Sequence, residues 1–230
     1  MQYLLNGGRN ERGVLVYPEV RQLYERLGIK RVLFVVYALI EEYWQSSWHE
    51  ASSLISIPGM ELKSLTMYDT DSDYIADCLA WADFIYFPGG SQRVLLTRMQ
   101  QLGTNKLLDT VVHNRAGQLK LLGGGSAGAM IMGSKCIVGH SIVKEVVPGL
   151  NYLEGYIIDS HFTERDRLGR LQAVLDGERG IKGMGIDEDT AVLFDDGLTP
   201  RAIYGPGTVT ICDTTITIYD THNITSRQQH

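Results

Sequence analysis

Ser126 sits in the run LLGGGSAGA (121–129), where an apolar stretch gives way to small residues. Gly124-Gly125-Ser126-Ala127-Gly128 fits the pattern G-x-S-x-G. A serine becomes a useful nucleophile when a sharp strand-to-helix turn lifts its hydroxyl above a sheet, and only small neighbours permit that turn. The N–H of the next residue, Ala127, then opens a helix and forms one half of an oxyanion hole. The same glycines offer a second chemistry. Gly123 to Gly128 also fits G-x-G-x-x-G, the turn that carries a dinucleotide phosphate. Against that reading, the run falls on about the fifth strand rather than the first. The acid roughly 20 residues further on, Glu145, does not clearly end a strand.

A serine nucleophile needs a base, and six histidines are available. His49 falls on a polar helix face and His230 is the last residue. His113 lies in a helical stretch and His140 in a loop. His222, in the C-terminal tail, would be the base if the order were serine, acid, histidine. His161 fits better locally: it ends the strand-like run YIIDSHF and precedes a helix, so it falls at the same sheet edge as Ser126. An acid must orient its other ring nitrogen. The turn GIDEDT supplies Asp187, Glu188 and Asp189, and spacing does not choose among them.

Two further groups belong nearby. Pro88-Gly89-Gly90-Ser91-Gln92 ends the neighbouring strand, so the N–H groups of Gly90 and Ser91 are candidates for the rest of the oxyanion hole. Gln92 is within reach of a substrate, and Ser91 is alternatively a helix cap. Arg165, Arg167 and Arg170 follow His161, with Arg167 and Arg170 on one helical face. Arginines beside a base are suited to holding a carboxylate. The competing reading pairs them with Glu164, Asp166 and Asp176.

The elements that must position these residues alternate. Strands are predicted at 2–6, 31–38, 61–67, 84–90, 119–125 and 156–162, with a strand on each side of a turn in 182–194. Helices are predicted at 18–27, 39–55, 72–82 (Ser72 as cap), 91–116 with a break near Gly103, just after Ser126, and at 164–175. Such alternation implies βαβ units, a mostly parallel sheet and helices on both faces, hence a three-layer α/β sandwich. The tail 202–219 reads as strands adding antiparallel to one edge. No linker or repeat divides the chain, so 1–230 reads as a single domain.

Composition bounds the partners. The 230 residues are 44% hydrophobic with a formal net charge of −6, which disfavours nucleic acid. No run of 18 apolar residues marks a membrane span. The N-terminus shows no signal-peptide pattern, so a cytoplasmic protein is expected. Three scattered cysteines, Cys78, Cys136 and Cys212, form no metal-ligand pair. Neither metal nor cofactor is expected.

Several blocks, in order, resemble the dipeptidase E / cyanophycinase serine peptidases. FPGGSQ (87–92) resembles the family's glycine-glycine-x-glutamine loop, and GGSAGA (124–129) its nucleophile elbow. DSHFTERDRLGRL (159–171) is similar to the cyanophycinase segment with the histidine and three arginines. GIDEDTAV (185–192) resembles the acid-bearing block, and GPGTVTICD (205–213) the C-terminal strand block. The resemblance implies a fold related to class I glutamine amidotransferases. It implies Ser126 as nucleophile, His161 as base and Glu188 as acid, with Gln92, Asp159, Arg165, Arg167 and Arg170 shaping a pocket for an aspartyl residue. The implied reaction is β-aspartyl-arginine release from a polymer, or α-aspartyl dipeptide cleavage. The implied partner is a small peptide or aspartate-containing polymer, and a homodimer is possible. Ser160, Ser91 and the N-terminal GGRNER depart from the cyanophycinase pattern, and the length is nearer dipeptidase E. A non-peptidase amidotransferase-like module and a dinucleotide-binding module are the alternatives from other classes.

Overall fold

The computed structural model describes residues 1–8, 13–38, 57–114, 119–139, 145–195 and 200–223. The helix expected at 39–55, and His49, His140 and His230, lie outside the described residues. The first half of the chain alternates as its sequence pattern predicts. Strands β1 (Gln2–Asn6), β2 (Arg31–Val35), β3 (Glu61–Leu65), β4 (Phe84–Phe87) and β5 (Leu121–Gly125) run parallel in the order β1-β5-β4-β2-β3. Between them lie α1 (Pro18–Leu27), α2 (Ser72–Trp81), α3 (Gln92–Gln101) and α4 (Thr104–Asn114). Gly103, in the left-handed region at φ 68°, breaks the long helical stretch into α3 and α4. The cap of α2 is Asp71 rather than Ser72: its carboxylate accepts from the N–H groups of Asp73 and Tyr74.

Alternate side chains of the parallel strands face opposite cores. Leu4, Val32, Phe34, Phe84 and Tyr86 pack with Val20, Leu23 and Tyr24 of α1. Tyr3, Leu5, Leu33, Val35, Ile85 and Phe87 face the other way, onto Ile75 and Leu79 of α2 and Leu95 and Met99 of α3. Both faces are covered, which is why these strands read as continuous apolar runs.

The second half departs from the single sheet that the sequence predicts. After the four-residue helix α5 (Ala127–Met130), the chain builds a separate six-stranded sheet. Its strands are β6 (Gly133–Val138), β7 (Glu145–Pro148), β8 (Leu153–Ser160), β9 (Lys182–Ile186), β12 (Val209–Cys212) and β13 (Ile216–Tyr219). Helix α6 (Leu168–Leu175) packs on β9, where a side chain at Gly183 would strike Leu171 and Leu175. Strands β10 (Ala191–Phe194) and β11 (Pro200–Tyr204) return to the first sheet as an antiparallel pair beside β1. The second sheet is mixed, parallel only across β6-β8-β9. The fold is therefore a mixed α/β fold with two sheets. Its tail strands are antiparallel at an edge of each.

The chain crosses between sheets three times where the site residues lie. It does so from β5 to β6 past Ser126, from β9 to β10 through 187–190, and from β11 to β12 through 205–208. His161 directly follows β8.

Candidate active site

The end of β5 cannot carry side chains. A Cβ at Gly128 would lie 1.8 Å from the Phe87 carbonyl oxygen, and one at Gly125 would lie 2.4 Å from the Tyr86 hydroxyl. The glycines let α5 fold back onto β4 at once. Ser126, between them, takes φ 50° and ψ −114°. A non-glycine residue held there costs about 1–3 kcal/mol, which the surroundings must offset. Its N–H donates to the Asn6 carbonyl at 3.0 Å. The Asn6 side chain, itself buried, donates to the Tyr86 hydroxyl at 2.9 Å and accepts from the Gly8 N–H at 3.1 Å. Nothing in the sequence pattern singled out Asn6; only β1-β5 pairing brings it beneath the serine.

Ser126 Oγ lies 2.8 Å from His161 Nε2, and His161 Nδ1 lies 2.5 Å from Glu188 Oε1. The three groups form a hydrogen-bonded chain of the serine–imidazole–carboxylate type. Of the three consecutive acids, Glu188 alone meets the imidazole: Asp187 turns to Thr163 and Thr208, and Asp189 accepts from the Gly13 N–H at 3.3 Å. His161 is fixed by its N–H to the Gly7 carbonyl at 2.8 Å, and a Cβ at Gly8 would lie 2.3 Å from its ring. Burial strips water from the imidazole and pushes its pKa below the ordinary value. The Glu188 hydrogen bond opposes this shift, and the charges of Arg165 and Arg167 add to it. A neutral ring is what a proton acceptor requires.

The other histidines sit elsewhere. His113 is exposed at the end of α4, bonded to the Asp109 carbonyl at 2.8 Å, and His222 lies in an exposed turn.

The loop 88–90 passes close above Ser126, with a Cβ at Gly89 falling 3.3 Å from that of the serine. The expectation for Ser91 needs correction. Its N–H donates to the Ala38 carbonyl at 2.9 Å, so it is spent, and its hydroxyl caps α3 by accepting from Val94. Gly90, at φ 136°, and Ala127 remain as donors; the Ala127 N–H opens α5, where no helical carbonyl can take it. Gln92 also turns inward, donating to Met130 Sδ at 3.0 Å.

The arginines divide. Arg167 Nη1 and Arg170 Nε each donate to Asp159 at 2.8 Å, and Arg170 Nη2 adds a contact of 2.5 Å. Asp159 is fully buried. Ion pairing is thus the role these two show, with Asp159 rather than Glu164, Asp166 or Asp176 as partner. Arg165 is exposed beside the imidazole and forms no ion pair with a described residue.

The phosphate-turn alternative finds no support in this geometry. The helix after the glycines is only four residues long, whereas a phosphate needs a sustained helix N-terminus. Glu145 begins β7 and pairs with Arg93 across the surface.

Comparison with known proteins agrees with the resemblance read from the sequence. A cyanophycinase of Geminocystis herdmanii (strain PCC 6308) is 35% identical over 162 residues, 65% of this chain and 55% of the relative. One from Trichormus variabilis (strain ATCC 29413 / PCC 7937) is 33% identical over 154 residues, 63% of this chain and 50% of the relative. The chain spans about half the length of these curated relatives. Among solved structures, a peptidase from an acI-B1 Actinobacterium superposes with a TM-score of 0.70 at 20% identity, covering 96% of this chain and 95% of that one. A protein assigned as peptidase E from Listeria monocytogenes EGD-e gives 0.59 at 18% identity, over 95% and 97%. The sequence profile of peptidase family S51 matches residues 4–199, well over half of the sequence, and the chain belongs to that family.

Proposed function

We propose that this chain is a serine exopeptidase that cleaves aspartyl linkages, with Ser126 as nucleophile, His161 as base and Glu188 as orienting acid. The observation that carries the reading is the hydrogen-bonded chain from Ser126 Oγ through His161 to Glu188, at 2.8 and 2.5 Å, in a member of family S51. His161 takes the hydroxyl proton as Oγ attacks the scissile carbonyl carbon. The N–H groups of Ala127 and Gly90 receive the oxyanion; one such donor is worth about 2.7–4 kcal/mol in a related enzyme. His161 then passes the proton to the leaving amine, and water repeats the sequence on the acyl-enzyme. Arg165, which of the three arginines after His161 forms no ion pair with a described carboxylate, is the candidate to read the aspartyl carboxylate. Asp159, Arg167, Arg170 and Gln92 form the wall behind it.

Cyanophycinase-like release of β-aspartyl-arginine is the first reading, supported by the curated relatives and by the arginine spacing after His161. Cleavage of α-aspartyl dipeptides is the second. It is favoured by Ser91 and Ser160, which depart from the cyanophycinase pattern. Hydrolysis of β-aspartyl-arginine polymer, α-Asp-Leu and Ala-Leu separates the two. Polymer cleavage supports the first, and cleavage of α-Asp-Leu alone supports the second. Activity on neither aspartyl substrate removes the substrate class. Ser126→Ala and His161→Ala are each expected to lose about 10⁶ in turnover, and the double variant little more, by analogy with another serine protease. Labelling of Ser126 by a fluorophosphonate in the wild type, abolished by His161→Ala, tests the nucleophile without a substrate. Absence of labelling would favour a non-peptidase module of the same fold.

A further inference from the structure

Asp187 stands next to the acid that meets His161, yet its carboxylate points the other way. It is buried, at 6% exposure, and none of the described cations pairs with it. Its charge is instead compensated by four hydrogen bonds. Oδ1 accepts from the Thr163 N–H at 3.0 Å and the Thr163 hydroxyl at 2.6 Å. Oδ2 accepts from the Thr208 N–H at 2.9 Å and the Thr208 hydroxyl at 2.7 Å. The Asp187 N–H returns a bond to the Thr208 carbonyl at 3.2 Å. A carboxylate satisfied in this way is an anchored node, because each charge-assisted bond is stronger than a neutral one.

What the node joins matters more than its strength. Thr163 lies two residues after His161, in the turn leaving β8. Thr208 ends the crossing from β11 to β12, and Asp187 itself opens the crossing that carries Glu188. A second tie runs parallel to it: the Thr190 hydroxyl donates to the Glu188 carbonyl at 3.1 Å and accepts from the Gly207 N–H at 3.0 Å. The approach is close enough that a Cβ at Gly207 would meet Thr190 Oγ1 at 2.5 Å and the Asp187 Cβ at 2.8 Å. His161 and Glu188 sit just past the paired ends of β8 and β9, which the Ser160–Ile186 register and the Phe162 N–H to the Ile186 carbonyl at 3.2 Å hold together. Gly7, Gly8 and the Glu164 carboxylate, which accepts from the Glu188 N–H at 3.0 Å, add further ties, and the Asp187 node acts beyond that paired end.

We propose that Asp187 is a positioning residue, clamping the turn after His161 to the turn bearing Glu188 and so fixing the imidazole–carboxylate contact. The proposal rests on the serine-peptidase reading for its kinetic consequence, but not for its structural one. The structural readout is the downfield proton resonance of a hydrogen-bonded imidazole Nδ1–H, assigned to His161 by its absence from His161→Gln. Asp187→Asn is expected to broaden or abolish that resonance. It should lower kcat by about 10–100-fold, the scale of an ångström-sized misplacement, while moving KM far less. Thr208→Val, which removes one hydroxyl and keeps the chain's shape, is expected to do the same in weaker form, and Thr208→Ser to restore it. This set keeps the question open if Asp187→Asn does not fold. A wild type that is neither labelled at Ser126 nor active refutes the peptidase reading alone, since the resonance still reports on the clamp. Variants that keep the resonance and the kcat per labelled site, with only a lower unfolding midpoint, overturn the clamp.

Discussion

At the scale of single residues, the charge state of His161 governs the site. Burial is the largest influence on its pKa and lowers it; Glu188 raises it, and Arg165 lowers it again. In the proposed mechanism His161 accepts the serine proton only when its ring is neutral. The acid limb of kcat/KM therefore falls below about 6.5, the ordinary imidazole value. Arg165→Gln removes a positive charge that disfavours the imidazolium, so the limb should move upward, towards that value. A pH profile of kcat/KM for both proteins checks this, and a limb that stays put or moves down would contradict it. The nucleophile candidate was legible because an elbow tolerates only small neighbours, and those neighbours stand in the sequence. The acid was not legible from spacing. Asp187, Glu188 and Asp189 are consecutive, and which one meets the imidazole depends on φ values such as the 50° of Asp189, which no side-chain pattern encodes.

At the scale of elements, β8 and the segment entering α6 are tied by one buried carboxylate. Asp159 is fully buried between Arg167 and Arg170, and Arg167 Nη1 also donates to the Ser160 carbonyl at 2.7 Å. Removing one partner of a buried pair strands the other's charge. Asp159→Ala is expected to cost about 3–5 kcal/mol, because two guanidinium groups lose their acceptor together. Urea unfolding of the variant measures it, and a loss under about 1 kcal/mol would show the pair to be solvated. Asp159→Asn keeps an oxygen acceptor and should lose less. Arg167 and Arg170 do come together, but at the Asp159 carboxylate rather than as two residues of one helical face, since Arg167 is the cap preceding α6. Their partner was missed because Asp159 lies on a strand of another register. The helix, moreover, begins only at Leu168, the residues before it forming a turn. The helical stretch predicted over 91–116 was legible as α3 and α4, through Ser91 as cap and Gly103 as break; residues 115–116 lie outside the described residues.

At the scale of the whole molecule, the parallel half of the fold was legible and the second sheet was not. Alternating helices and strands dictate neighbours locally, so β1 to β5 follow from the pattern. Past α5 the strands follow one another with few helices. Two runs a turn apart, β9 and β10, then join different sheets. A hairpin pattern and a crossing between sheets look alike in sequence, because the hydrogen-bond partner lies far along the chain. Yet those crossings assemble the site, and this couples its protonation to folding. The native His161 holds a proton less readily than the unfolded chain does. Below about 6.5 the unfolded state therefore takes up a proton that the native state resists, and stability falls as the pH drops from there towards the native pKa. Above 6.5 the contribution is complete. Unfolding free energies at pH 7.5 and 5.5 should thus differ more for the wild type than for His161→Gln, which cannot titrate. Equal differences in the two proteins would mean that the buried imidazole is not linked to global folding, and that the seam between the sheets opens before the molecule does.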